Sequence, residues 1–162
     1  MGEAAQALEM TADLAFHDAL RAVADALRDL AAPSMIIGGV AVIAAGVPRE
    51  TIDVDATILG EETDLDTVLS VLLAHAIVPR IADARQFARE HQVLLLRHQS
   101  SGVTVEISFA WLPFERDALE HALELEIEGI RLRVARPEDL IIYKAAAWRD
   151  RDRSDIERLL VL

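Results

Sequence analysis

The chain has 162 residues, 52% of them apolar, and its 28 acidic against 16 basic residues leave a net charge of -12. That size and apolar content suit one soluble domain with its own core, and the acidity argues against binding nucleic acid or anionic membrane through a broad basic surface, though not against a local basic pocket. No cysteine is present, which excludes disulfides, thiolate zinc sites and cysteine nucleophiles; no apolar run reaches the roughly 20 residues of a membrane helix, and the acidic, polar start Met1-Gly2-Glu3 predicts a cytoplasmic address.

Residues 4–30 read as one amphipathic helix, because Phe16, Leu20, Val23, Leu27 and Leu30 recur at steps of three and four. His17 lies beside that stripe and reads as structural; Ala31-Ala32-Pro33 ends the helix. Met35-Ile36-Ile37 is a short buried strand, broken by Gly38-Gly39, and a small-residue helix over 40–45 follows, closed by Gly46. Past Pro48 and Arg49, a second strand runs over 52–58. Its period of two puts Asp53, Asp55 and Thr57 on one face and Ile52, Val54, Ala56 and Ile58 on the other.

Glu61-Glu62-Thr63-Asp64 supplies capping and first-turn acids for a helix to about residue 76, with Leu65, Val68, Leu69, Leu72 and Leu73 as its buried face. Ile77-Val78-Pro79 leaves that helix, and 83–92 is a short helix or a loop. Runs 93–98 and 103–110 form a hairpin around Gln99-Ser100-Ser101-Gly102. A brief helix over 113–122 precedes a second hairpin, 123–127 and 130–135, turning at Glu128-Gly129. Pro137 begins a helix with Glu138 and Asp139 in its first turn, carrying Leu140, Ile141, Lys144 and Trp148. The final segment, 152–162, has an apolar end. This order predicts an α+β fold, a mixed sheet flanked by helices, in a single domain over 1–162. Within it, 1–32 is an N-terminal packing helix, 35–110 the catalytic core, and 111–162 the C-terminal hairpin and helices.

Chemistry concentrates at the second strand. Asp is depleted in strands, and two carboxylates on one face repel, so a cation is expected beside Asp53 and Asp55. A divalent metal meets that need better than Arg49, the nearest basic residue in sequence. The plain alternative is an acidic ladder facing water. Glu106, flanked by Val105 and Ile107, is the best third oxygen donor, or else an ordinary solvent-face glutamate beside Thr104 and Ser108. Three such acids clamp two Mg²⁺ ions roughly 3.5–4 Å apart, the arrangement for in-line phosphoryl displacement, with the third acid the candidate general base. The Gly38-Gly39 turn offers backbone N–H groups to phosphate. Arg49 and Thr51 flank the metal strand and either touch phosphate or, for Arg49, neutralise the aspartates. Lys144 either snorkels at the rim or reaches a phosphate. The alternating charges from Arg149 to Asp155 read as a solvated helix connection with local ion pairs. Histidines lack metal-ligand spacing, and no serine falls in a GxSxG context.

The chain resembles the nucleotidyltransferase superfamily, the polymerase-beta-like fold, and within it the AbiEii/AbiGii-type nucleotidyltransferase toxins and their relatives. The likeness rests on Gly38-Gly39-Val40-Ala41 followed by Gly46, Arg49, Thr51 and Asp53-Val54-Asp55. It rests also on Arg136-Pro137-Glu138-Asp139-Leu140-Ile141 leading to Lys144, and on Arg151-Asp152, Asp155-Ile156 and Leu159. The resemblance implies an NTP such as ATP on the glycine turn, Mg²⁺ (or Mn²⁺) on Asp53 and Asp55, and Lys144 on the phosphates. A nucleotidyl group would pass to an acceptor (tRNA, protein or small molecule) with release of pyrophosphate. The implied roles are the toxin of a pair with an antitoxin protein, or a resistance-type modifier; the alternative is a non-catalytic module of the same fold that binds nucleotide or a partner protein. Two departures stand out: Gly39 where many members have Ser, and Glu106 where the family has Asp.

Overall fold

The structure, a computed structural model, describes residues 2–60 and 64–162, with side chains from Asp13 onward. Helix α1 (Gly2–Asp29) is followed by β1 (Ser34–Ile37), α2 (Gly38–Ala44) and β2 (Asp53–Leu59). Then come α3 (Leu65–Ala74), β3 (Ile77–Pro79), α4 (Ala84–His91), β4 (Val93–His98) and β5 (Thr104–Ala110). The chain closes with α5 (Pro113–Glu120), β6 (Leu123–Ile127), β7 (Ile130–Val134), α6 (Pro137–Ala147) and α7 (Asp150–Leu159). The seven strands make one mixed sheet in the order β3-β4-β5-β2-β1-β7-β6. The fold is α+β, as the element order predicts.

Strand β2 lies inside the sheet, antiparallel to β1 and parallel to β5. Val54, Ala56 and Ile58 are buried on one face, where α1 packs against β2 and β7. The α1 stripe is as expected: Leu20, Val23, Leu27 and Leu30 are buried, and Phe16 packs against the same core. Neighbours in register extend this layer, with Val54 beside Val105, Ala56 beside Ile107 and Ile58 beside Phe109. Burying these β-branched and aromatic side chains at about 1.5–3 kcal/mol each is what holds the acid-bearing strand rigid. The opposite face, with Asp53, Asp55 and Thr57, is overlaid by α6, whose Tyr143 meets Phe114 of α5 edge-on at 5.2 Å.

Two details differ from expectation. Ile77-Val78-Pro79 does more than leave a helix: it is the edge strand β3, paired with β4 from Ile77 opposite His98. Three residues show no readable period, and Pro79 sits at the sheet edge, where a missing N–H is tolerated. In α3, Val68 and Leu72 are buried but Leu73 is 61% exposed, because one residue further on turns it about 100° off the stripe. Asp64 does cap α3, accepting from the Thr67 N–H at 3.0 Å; residues 61–63 of the expected capping segment lie outside the described residues.

Candidate active site

The glycine turn and the acids are in direct contact. Antiparallel pairing sets Ile37 opposite Asp55, so the turn after β1 lands on that carboxylate. Gly38 has φ +64°, and a Cβ there would lie 2.1 Å from Asp55 Oδ2. A side chain at position 39 would meet Thr51 Oγ1 at 2.4 Å. Gly38 is therefore demanded by close approach as well as by backbone angle, and Gly39 by close approach alone. The room a serine would need at 39 is taken by Thr51, whose hydroxyl instead donates to Asp53 Oδ1 at 3.2 Å and orients it.

Parallel pairing of β2 with β5 places Glu106 directly beside Asp55. Burial pushes the Asp55 carboxyl up from 3.8 to about 6, the charges of Asp53 and Glu106 add to this, and Arg151 and Arg149 oppose it. This is an acid held against its preference, the condition a cation relieves. Glu106 meanwhile accepts from Arg80 at 2.7 Å. Among the described residues no three acid or histidine side chains are already drawn into a metal-binding cluster. The donor set nevertheless suits a hard divalent ion: carboxylate oxygens only, no histidine in the lining, and a close-packed glycine turn alongside.

Gly38, Gly39, Asp53, Asp55 and Glu106 line a cavity of about 310 Å³, at the lower end of small-ligand sites. Leu140, Tyr143, Lys144 and Ala147 of α6 form one wall. The Tyr143 hydroxyl is buried without a hydrogen-bond partner among the described residues. Burial, and then the Glu115 charge, hold its proton far above the usual range, so it is no base at neutral pH.

The basic residues are arranged differently from expectation. Lys144 does not snorkel; it is buried, 2.7 Å from Asp155 and 3.4 Å from Asp152. Asp155 also accepts from Arg49 Nη1 at 2.5 Å, and Arg158 donates to the Pro48 carbonyl at 3.1 Å. The charge run is therefore not simply solvated: Asp152 and Asp155 are buried and tie α7 to α6 and to the loop before β2. Their signal in the sequence is helical phase, since Asp152, Asp155 and the buried Leu159 fall at i, i+3 and i+7. Arg80, Arg149 and Arg151 were absent from the expected site, and Arg80 has no local signature at all.

A family model described as "Nucleotidyl transferase of unknown function (DUF2204)" matches residues 16–161. The chain belongs to this nucleotidyltransferase family. As a member it is an enzyme of nucleotidyl transfer, consistent with acids and glycine turn meeting in one cavity. The antibiotic-resistance factor ANT(2'')-Ia, in a crystal structure with adenylyl-2''-tobramycin, is similar with a TM-score of 0.54 and 19% identity, over 86% of this chain and 83% of that one. Its solution structure gives 0.53 and 20%, over 90% and 80%. A putative nucleotidyltransferase from Thermotoga maritima gives 0.53 and 16%, over 87% and 89%. These likenesses show a shared nucleotidyltransferase fold. No curated protein matches the chain by sequence.

Proposed function

We propose that this nucleotidyltransferase moves an NMP from an NTP to a hydroxyl-bearing acceptor with Mg²⁺ or Mn²⁺ as cofactor. What supports the reading is Asp55, wedged against Gly38 and flanked by Asp53 and Glu106. Asp53, Asp55 and Glu106 hold the divalent cation, which when bound neutralises charge on the triphosphate and lowers the proton affinity of the acceptor hydroxyl. The backbone of Gly38 and Gly39 lies along the phosphates, and Thr51 keeps Asp53 aimed at them. The acceptor oxygen bonds to the α-phosphorus, the α–β bridging bond breaks, and pyrophosphate leaves. Glu106, with a side chain 41% exposed on the open side, receives the acceptor's proton once Arg80 is displaced.

A small acceptor is favoured over a long RNA, because a net charge of -12 repels a polyanion. The similarly folded ANT(2'')-Ia, seen with an adenylylated aminoglycoside, points the same way. The assay incubates the protein with each labelled NTP, Mg²⁺ and, separately, an aminoglycoside panel, tRNA and total protein. Label appearing on an acceptor with the wild type and vanishing in Asp53→Asn is the expected result. Label on tRNA or protein in place of small molecules would return the toxin role implied by the AbiEii-like motifs, with an antitoxin as partner. Nucleotide binding with no transfer to any acceptor would mark the non-catalytic module.

A further inference from the structure

The four cations lining the cavity are of two kinds. Lys144 and Arg49 are committed internally: both bind Asp155, Lys144 also faces Asp152, and their side chains are only 8% and 16% exposed. Neither has charge left over for a polyanion without breaking a buried pair, and breaking one strands a carboxylate in a dry site. Arg149 and Arg151 are exposed, yet line the same cavity as Gly38, Asp53 and Asp55. Arg149 has only a loose approach to Asp152, at 3.7 Å. Arg151 forms no salt bridge with any described residue.

The pair is also held in place. The Arg149 N–H donates to Asp152 Oδ2 at 2.9 Å, and Asp152 is in turn held by Lys144. The backbone that presents both arginines is therefore anchored, while the Arg151 guanidinium pairs with no described acid and that of Arg149 is held only by its 3.7 Å approach to Asp152. Exposed, planar, five-donor groups beside a cluster of carboxylates are the chemistry of phosphate recognition. They are also near enough for their charge to be felt at Asp55.

We propose that Arg149 and Arg151, rather than Lys144, clamp the β- and γ-phosphates of the nucleotide. This rests on the nucleotidyl-transfer reading above. It assigns the lysine of the α6 motif a different task, that of anchoring Asp152 and Asp155 beneath the clamp.

The test uses probes that need no knowledge of the base: inorganic tripolyphosphate, and each of the four NTPs, titrated with Mg²⁺ into the full chain by calorimetry at fixed ionic strength. The variants are Arg149→Ala/Arg151→Ala, Arg151→Lys, and Arg153→Ala as a control, since Arg153 stacks over Trp148 at 5.2 Å rather than lining the cavity. Two charge-assisted contacts predict a loss of tripolyphosphate affinity of about tenfold or more in the double variant, partial retention in Arg151→Lys, and no change in Arg153→Ala. A loss below tenfold in the double variant, or an equal loss in Arg153→Ala, overturns the clamp. Failure of the wild type to bind tripolyphosphate or any NTP overturns the transferase reading itself, and the clamp with it.

Discussion

Replacing Asp55 by asparagine is expected to stabilise the metal-free protein at pH 7 while removing its response to divalent cations. The carboxyl goes from 3.8 to about 6 on folding. At pH 7 it is ionised in both states, and the gap corresponds to about 3 kcal/mol spent keeping the charge in place. Asparagine keeps the shape beside Gly38 and removes the charge. Allowing for imperfect amide hydrogen bonding, a net gain of about 1–3 kcal/mol is expected, or about 2–12 °C in Tm for a domain of this size. Because the folded value lies above the unfolded one, the neutral carboxyl contributes stability that is complete below pH 3.8 and lost as pH rises through about 6. The advantage of Asp55→Asn should therefore be full at pH 7, shrink between about 6 and 4, and disappear below. The assay is calorimetric melting of both proteins in chelator across pH 4–8, repeated with MgCl₂ or MnCl₂. A ligand at 100 times its dissociation constant adds about 2.7 kcal/mol to the wild type, and the variant should gain far less. An Asp55→Asn protein less stable than wild type in chelator at pH 7, or equally shifted by Mg²⁺, would refute the reasoning.

Lys144→Met leaves the buried Asp152 and Asp155 with one basic partner fewer, and is expected to cost about 3–5 kcal/mol, or roughly 6–20 °C in Tm. Adding Asp155→Asn should recover part of the loss in a double-mutant cycle, and a Tm within 2 °C of wild type for Lys144→Met would count against the buried network. Arg80→Ala frees Glu106 from a partly exposed ion pair worth about 0.2–1 kcal/mol. The Mg²⁺ concentration giving half-maximal thermal shift should fall by about 1.5- to 5-fold, whereas a rise would mean that Arg80 supports Glu106 rather than competing for it.

What was legible in the sequence was local. The period of two over 52–58 puts Asp53 and Asp55 together whatever the strand pairs with, and Gly38-Gly39 marks a turn only glycine fits. Helix starts at Asp64 and Pro137 follow from capping and proline geometry. Glu106 was within reach because it is the sole acid in its strand. Tertiary structure decided the rest, because it depends on which distant groups compete for one charge. The register that sets Glu106 beside Asp55 comes from β2 and β5 meeting across a separation of 51 positions. The alternating run from Arg149 to Asp155 has the same pattern whether its acids face water or a lysine, and only the packing of α7 on α6 buries two of them. Arg80 reaches Glu106 from the residue just past an edge strand too short to announce itself. Strand phase and turn chemistry are written residue by residue, whereas the pairing of charges is settled by the whole fold.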